Sequence, residues 1–440
     1  MQLRDYQEKG VAEIRSAFRS GIRRVCYVAP CGSGKGMMVA YMARKAAAKG
    51  KRVLFLIHRR ELLDQIAEDI GRPDKNIQLV TVQSIVRRLD KIPEPDLIIS
   101  DEHHHGVAAT WRKIFDRFSN AYLVGLTATP ARTNNQGLGE ICDKLILGPS
   151  VKELIANGYL APYKYFAPKM PIDLSEVKIK MGDYDQTEIA IIMDKPHVTG
   201  KCIEHYKKLA NGKQAIVYCA NIQHSKNTVE EFKASGYTAA HVDGETPADE
   251  RKQAIADFKS GKLRILSNVQ LFGEGLNLPG VEVVILLRPT QSLVLHVQQS
   301  MRSMRPGPGK TAIIIDAVGN CFRHGIPETI HEWSLDGTTR RTPSEKSIGV
   351  RQCPQCFGCI TPAPVCYLCG FEFEVTARML AEEAGELKQF DAEILERAKL
   401  KKRIELNCCK TIADLKQFAE ENGYKSGWVY MRARLKNIRS

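Results

Sequence analysis

The chain has 440 residues, 43% hydrophobic and 26% charged, a composition that argues for about three folded domains and against a disordered or membrane-embedded chain. The N-terminal MQLRDYQEKG lacks the apolar core of a secretory leader and no later apolar run approaches a membrane span, so a cytoplasmic protein with no membrane partner is expected. A formal net charge of +14 points to polyanions such as nucleic acid or to a solvated basic surface, and charge by itself does not choose between them.

From the N-terminus, Leu3 to Gly21 carries Val11, Ile14 and Phe18 at helical spacing and ends on a glycine. Arg23 to Ala29 reads as a strand, APCGSGKG (Ala29 to Gly36) as a tight turn, and Met37 to Gly50 as a helix. In that context backbone N–H groups and a helix N-terminus can cradle phosphates, with Lys35 reaching the β and γ oxygens. The loop departs from GxxxxGK[ST] at both ends. Ala29 replaces the first glycine, and Gly36 stands where a hydroxyl would hold Mg²⁺.

Lys51 to Gly71 gives a buried-type strand, Val53 to Ile57, feeding a helix, and Ile77 to Leu89 repeats the pattern. An apolar strand then delivers Asp101 and Glu102 at its carboxyl end, and Ala121 to Pro130 is another strand running into a polar turn. Such alternation predicts a parallel sheet covered on both faces, with chemistry outside the carboxyl ends of its strands. There Asp101 can hold Mg²⁺, directly or through water, while Glu102 accepts a proton from an attacking water. The consecutive His103, His104 and His105 cannot all face one metal ion.

Residues 131 to 190 are harder to assign: a helix is expected from Val151 to Asn157, and Gly182 to Glu188 (GDYDQTE) reads as solvent-exposed. Strand-like segments resume at residues 213–220, 237–244, 263–269, 281–289 and 310–318, predicting a second domain of the same class. A polar stretch from Ser334 to Ser347 reads as a linker. Beyond it, Cys353 and Cys356 form one CxxC and Cys366 and Cys369 another, separated by nine residues. Four thiolates so spaced suit a closed, tetrahedral structural zinc site, with Cys359 a spare that could displace Cys353 and a redox role for the thiols the alternative. The chain then turns helical and charge-rich from Thr376 to Leu406. It ends with Tyr424, Trp428 and Tyr430 among Lys425, Arg432, Arg434 and Lys436, a mixture that either stacks bases or packs a small helical core.

The ordered motifs over residues 1 to 320 resemble those of superfamily 2 helicases and nucleic-acid translocases, especially RadD-like and phage-type DNA members related to restriction-enzyme motor subunits. LRDYQ resembles the adenine-reading element, APCGSGKG motif I, IHRRELLDQ motif Ia, TVQS a backbone-touching element, DEHH motif II and TATP motif III. In the second half, VYCANIQHS and HVDGET resemble motifs IV and IVa. LSNVQLFGEGLNLP resembles motif V with Asn277 for a common aspartate, and QQSMRSMRPGPGK resembles motif VI with Met301 for a glycine.

The resemblance implies two tandem RecA-like domains with parallel sheets, at 1–160 and 161–335. A linker at 336–350, a zinc-ribbon-like module at 351–374 and a basic helical tail at 375–440 follow. It implies ATP between the domains, with Arg4 and Gln7 at the base, Gly32, Ser33, Gly34, Lys35 and Gly36 on the phosphates, and Gly275, Gln298, Arg302 and Arg305 completing the site. Two arginines three apart on a helix would share one face and present paired guanidinium forks to the γ-phosphate. Arg59, Thr81, Gln83, Asn221, His224 and Ser267 are the implied strand contacts. Motif Ia differs from the PTRELA type of RNA helicases, which favours DNA, and a monomer on its nucleic acid is expected. A binding protein with weak turnover, an RNA helicase, and a restriction motor needing a partner stay open at this point.

Overall fold

The computed structural model describes residues 2–58, 61–71, 74–130, 137–168, 174, 176–180, 182–193, 196–269, 271, 278, 280–331, 333–335, 349–373, 412–421 and 426–435. Helix α1 (Asp5–Arg19) buries Val11, Ile14 and Ala17 and leads into β1 (Arg24–Val28), after which α2 (Lys35–Ala47) opens. Strands β2 (Val53–Ile57), β3 (Ile77–Thr81) and β4 (Leu97–Ser100) follow, with α3 (Glu61–Ile70) after β2 and a single turn, α4 (Val82–Ile85), after β3. Helix α5 (Ala109–Arg117) precedes β5 (Tyr122–Thr127), β6 (Lys144–Leu147) lies in the stretch left unassigned above, and α6 (Val151–Ala156) follows.

The six strands run parallel in the order β3-β2-β4-β5-β1-β6. Every residue of β2 is buried, as a strand covered on both faces requires. One core packs Val25, Val39, Phe55 and Ile99 on one face, and another packs Cys26, Leu54, Trp111 and Phe115 on the other. Because all strands point one way, the segments after β1, β2, β3, β4 and β5 emerge on a single edge. Motifs a hundred residues apart therefore meet.

The second sheet repeats this plan. Edge strand β7 (Tyr163–Phe166) comes first, followed by a small hairpin of β8 (Ile179–Lys180) and β9 (Asp183–Tyr184) and helices α7 (Gln186–Met193) and α8 (Pro196–Ala210). Then come β10 (Ala215–Tyr218), α9 (Ile222–Ala234), β11 (Ala239–Val242), α10 (Ala248–Lys259), β12 (Ile265–Asn268) and β13 (Val283–Leu286). Helix α11 (Leu293–Ser300), β14 (Ala312–Asp316) and α12 (Cys321–His324) close the domain. The parallel order is β11-β12-β10-β13-β14-β7, and the buried Tyr165 hydroxyl donates to Asp316 Oδ2 at 2.9 Å across its edge.

The exposed reading of GDYDQTE is corrected. Asp183 accepts from Arg288 Nη2 at 3.1 Å, Thr290 Oγ1 at 3.0 Å and the Gln291 backbone at 2.7 Å, while Tyr184 and Asp185 are buried. Arg288 is itself buried, and a guanidinium removed from water needs a counter-charge. The acidic look of the segment hid an anchor.

An apolar cluster joins the two sheets. Leu154, Tyr159 and Leu160, with Tyr6 and Cys31 from the first domain, meet Val297, Met301, Met304 and Ala312 from the second. The Ala161 N–H also donates to the Met304 carbonyl at 2.8 Å. Met301, in the place of the motif VI glycine, is a filling residue of this joint. Trp333 and Leu335 return to the first sheet's core, and the Gly139 N–H donates to the Leu335 carbonyl.

Strands β15 (Arg351–Gln352) and β16 (Cys359–Ile360) form the antiparallel base of the cysteine module, a separate two-stranded sheet that touches the second sheet through one isolated bridge from Gly358 to Phe166 of β7. Residues Met1–Phe371 form one compact unit and Glu372–Ser440 a second. In the second unit, helices Ile412–Glu421 and Ser426–Leu435 pack Leu415, Ala419, Val429 and Ala433 together, and Trp428 stacks on Phe418 at 5.7 Å. Trp428 thus takes the packing role of the two offered above, while Tyr430 is exposed. The helix expected over 376–406 lies outside the described residues, as do Tyr424, Lys425 and Lys436. Among the described residues no helix is long and apolar enough to cross a membrane.

Candidate nucleotide and nucleic-acid site

After β1 the chain turns through Gly32 at φ +81° and Gly34 at φ +77°, left-handed backbone that favours glycine. A Cβ on Gly34 would also lie 2.7 Å from Gln7 Nε2. Lys35 opens α2, and its Nζ donates to the Ala29 and Pro30 carbonyls at 2.9 and 3.2 Å, so the ammonium sits inside the loop's concavity. Ser33 Oγ is buried with no hydrogen-bond partner among the described residues. Two left-handed glycines, an inward lysine and an orphaned hydroxyl fit a polyphosphate. The Ala29 N–H donates to the Thr127 carbonyl at 3.0 Å and fastens the loop to β5.

Gln7 holds this loop directly: its Nε2 donates to the Gly34 carbonyl at 3.0 Å, and its Oε1 accepts from the Arg4 N–H at 3.0 Å. Tyr6, beside them, donates to the Ser33 carbonyl at 2.5 Å and accepts from Arg4 Nη1 at 3.2 Å. The Arg4 guanidinium lies 4.5 Å over the Tyr159 ring, and Tyr6 and Tyr159 approach at 5.2 Å. Both tyrosines border a 250 Å³ pocket. Sequence reasoning passed over them: Tyr6 lies inside the LRDYQ motif, whereas nothing local marks Tyr159.

After β4, Asp101 donates its N–H to the Leu56 carbonyl at 3.2 Å and Glu102 takes the left-handed conformation, φ 45°, uncommon for a side-chain-bearing residue. Both acidic residues thus stand at the carboxyl end of β4, on the same edge of the sheet as the phosphate loop. The three histidines part company. His103 is buried between Ser100 Oγ at 2.9 Å and Cys142 Sγ at 3.1 Å, and its ring occupies the space above Gly125, where a Cβ would come within 2.1 Å. His105 stacks on His58 at 4.3 Å. His104 Nδ1 lies 3.1 Å from Thr127 Oγ1. Since that hydroxyl donates to the Thr129 carbonyl at 2.8 Å, it accepts from His104, which fixes the proton on Nδ1. The same Nδ1 is 3.6 Å from Glu102 Oε2, so His104 links the carboxylate to the TATP turn.

The motif VI arginines need a correction. α11 stops at Ser300, residues 301–304 form a 3₁₀ turn, and Arg305 is extended at φ −62°, ψ 136°, so they do not share an α-helical face. Pro306 is the cause, because a residue before proline is driven out of the helical region. Their neighbours Met301 and Met304 nonetheless pack with Cys31 of the phosphate loop. Arg302 is buried against the Tyr218 hydroxyl. Burial, and then the Arg302 charge, lower Arg305 to about 10, which leaves it a cation at neutral pH. Burial raises the Cys31 thiol of the phosphate loop, opposed by Lys35, reinforced by Glu102, and opposed again by Arg302 and Arg305. One small thiol thus feels the loop lysine, the motif II glutamate and both arginines. Gln298 is buried in α11, and Gly275 lies outside the described residues.

The implied strand contacts divide. Gln83 is exposed beside Thr81, whose Oγ1 accepts from the Ser84 N–H at 3.3 Å as the cap of α4. Asn221 caps α9, accepting from the His224 N–H at 2.6 Å. His224 and Ser267 are fully buried, and Ser267 Oγ meets Ser225 Oγ at 2.6 Å, which in turn meets His241 Nδ1 at 2.7 Å, itself linked to Asp243 at 2.9 Å. His224 and Ser267 are thus enclosed at the strand ends, whereas Asn221 and His241 are partly exposed. Arg59 lies outside the described residues.

In the cysteine module the Sγ atoms of Cys353, Cys356, Cys366 and Cys369 lie within 4.8 Å of one another, with contacts of 3.6 Å (Cys353 to Cys369) and 3.8 Å (Cys356 to Cys366). Thiolates around a tetrahedral zinc, with bonds near 2.3 Å, are roughly 3.8 Å apart, so the donor set fits. Cys359 resolves as the non-ligand: it is buried in the second domain's core, 3.7 Å from Cys321 Sγ.

Two family models match this chain: "Type III restriction enzyme, res subunit" over residues 1–76 and 71–132, and "Helicase conserved C-terminal domain" over 195–307. A 51.5 kDa protein of a Lactococcus phage is 40% identical over 88% of this chain and 86% of its own length. The chain belongs to the superfamily 2 helicases and translocases. Among other superfamily 2 relatives, IRC3 of Saccharomyces cerevisiae is 28% identical over 72% of this chain, which spans about half (51%) of that protein. The fold is shared with the ATP-dependent Type ISP restriction-modification enzyme LlaBIII bound to DNA, at a TM-score of 0.53 and 20% identity over 72% of this chain and 28% of the larger one.

Proposed function

We propose that this superfamily 2 ATPase couples hydrolysis at the joint of its two sheets to movement along a DNA strand. The observation that supports the residue roles is the packing of Cys31 of the phosphate loop with Met301 and Met304, the residues that flank Arg302 and precede Arg305. Gly32 to Gly36 would wrap the phosphates of ATP, with Lys35 exchanging its own loop carbonyls for the β and γ oxygens. The adenine end would rest by Tyr6 and Tyr159, with Arg4 and Gln7 keeping that corner rigid. Asp101 would hold Mg²⁺, which supplies charge neutralisation on the phosphates. Glu102, its backbone fixed by the left-handed turn, takes the proton from water as the water oxygen attacks the γ phosphorus and ADP leaves. Arg302 and Arg305 meet the charge that develops on the transferred group.

Movement would follow because Arg302 and Arg305 belong to the second domain and the loop to the first: tightening and releasing that grip would shift one domain against the other across the apolar joint. The exposed Gln83, at the carboxyl edge of the first sheet, is the implied backbone contact best placed to reach a strand, in a largely sequence-independent way. DNA is favoured by motif Ia and by the DNA-bound restriction enzyme of the same fold. A structural zinc in the four-cysteine module, action as a monomer, and the cytoplasm of a bacterium or phage-infected host complete the reading. The test is phosphate release with single-stranded DNA, forked DNA and RNA as stimulants. DNA should stimulate most, and Lys35→Ala should abolish the response. A rate that neither nucleic acid nor Lys35→Ala changes sinks the motor reading in favour of a binding protein.

A further inference from the structure

A cleft in the first domain lies on the side away from the phosphate loop. It measures 880 Å³ and lies where the strands begin, between the last turns of α1 and α2 and the amino ends of β1, β2, β4 and β5. Five residues of strand, about 16 Å, separate that end from the phosphate loop.

Its charge is lopsided. Arg15, Arg19, Arg23, Lys45, Lys49, Lys51 and Arg52 line it, against two acids, Glu94 and Asp96. Both acids already have partners: Asp96 accepts from Lys51 at 3.0 Å and from the Arg52 N–H at 2.8 Å, and Glu94 pairs with Arg117 at 3.4 Å. Helix dipoles explain part of the excess, since cations in a last turn stabilise a helix C-terminus. That covers Arg19 and Lys45 only. Arg15 lies a turn earlier, Lys49 lies past the end of α2, and Arg23, Lys51 and Arg52 are on strands or their approaches. The side chains of Arg15, Arg19 and Lys49 are exposed and make no hydrogen bond or ion pair among the described residues.

Aromatic rings floor the same cleft. Phe18 packs on Tyr122 at 4.6 Å, the Arg23 guanidinium covers Tyr122 at 4.7 Å, and the Lys45 ammonium is 5.6 Å from the Tyr41 ring. Cations held over rings offer flat charged surfaces on which a base can stack while neighbouring cations take the phosphates. A compact anion would leave most of this length of cleft empty. We infer that the cleft is a second nucleic-acid site, holding a short single-stranded segment on the face of the first domain opposite the ATP site.

Calorimetric titration of the full chain with a short oligodeoxythymidylate tests this. The chain should bind two oligomers, and Arg15→Gln/Arg19→Gln/Lys49→Gln should bind one, with unstimulated ATP hydrolysis unchanged. With a long oligomer, the triple variant should lower the slope of log affinity against log salt by about 2, at roughly 0.7 per lost phosphate contact. A photo-crosslinking phenylalanine analogue at position 19 should capture the oligomer, also in a Lys35→Ala background, which separates this site from the motor cycle. Unchanged stoichiometry and slope in the triple variant would overturn the inference. So would displacement of the crosslink by inorganic polyphosphate but not by excess oligomer.

Discussion

At the scale of single residues, departures from family patterns turn out to be compensated locally. His103 enters the motif II turn as a bulky ring, and Gly125 on β5 is the space it occupies. Gly125→Ala should therefore cost about 1–3 kcal/mol by overpacking. His103→Ala should recover most of that in the double variant, as a double-mutant cycle in chemical denaturation would report. Glu102→Gln removes the proton acceptor and should lower turnover about a hundredfold to ten-thousandfold, with ATP still bound in an equilibrium assay. Gly36 is different, since it brings no hydroxyl of its own to the loop. Gly36→Thr should strengthen Mg²⁺-dependent ATP binding or turnover; no gain would mean that the glycine suits this loop for another reason.

At the scale of elements, what could be read from the sequence was what repeats. Apolar runs ending in Gly-rich or acidic turns identified β1, β2, β4, β5 and the strands from β10 to β14, because a doubly covered sheet writes itself as such runs. Edge strands β6 and β7 were missed since they are short and half-polar, and the β8–β9 hairpin was misread because a buried carboxylate looks like a surface one until its arginine is seen. That pair has its own test: Asp183→Ala strands the buried Arg288 and should destabilise the second domain by about 3 kcal/mol, whereas Asp183→Asn should cost less. The proline after Arg305 was visible but its effect on the helix was not weighed. An Arg305→Ala variant should still lose about a thousandfold or more in stimulated turnover while binding nucleotide, because its place at the joint and not helical spacing sets its role.

For the whole molecule, the motif order in the sequence foretold two parallel sheets in tandem. It carried no sign of the apolar joint around Met301 and Tyr159 or of the basic cleft behind the first sheet, since both are assembled from residues scattered over distant elements. The cysteine cluster likewise was legible, but not its contact with the outer strand of the second sheet. Its placement has a consequence for how the protein behaves in concentrated solution. Strand β7 is the outer strand of its sheet, and Gly358 and Gln352, which donates to the Ala167 carbonyl at 2.6 Å, cover the backbone on its free side. A bare outer strand invites pairing between copies. Stripping the metal with a chelator, or Cys366→Ser, should thus reveal itself first as turbidity and growing particle size in light scattering, before any loss of helical signal. The module would then act as a cover against aggregation as much as a fold of its own.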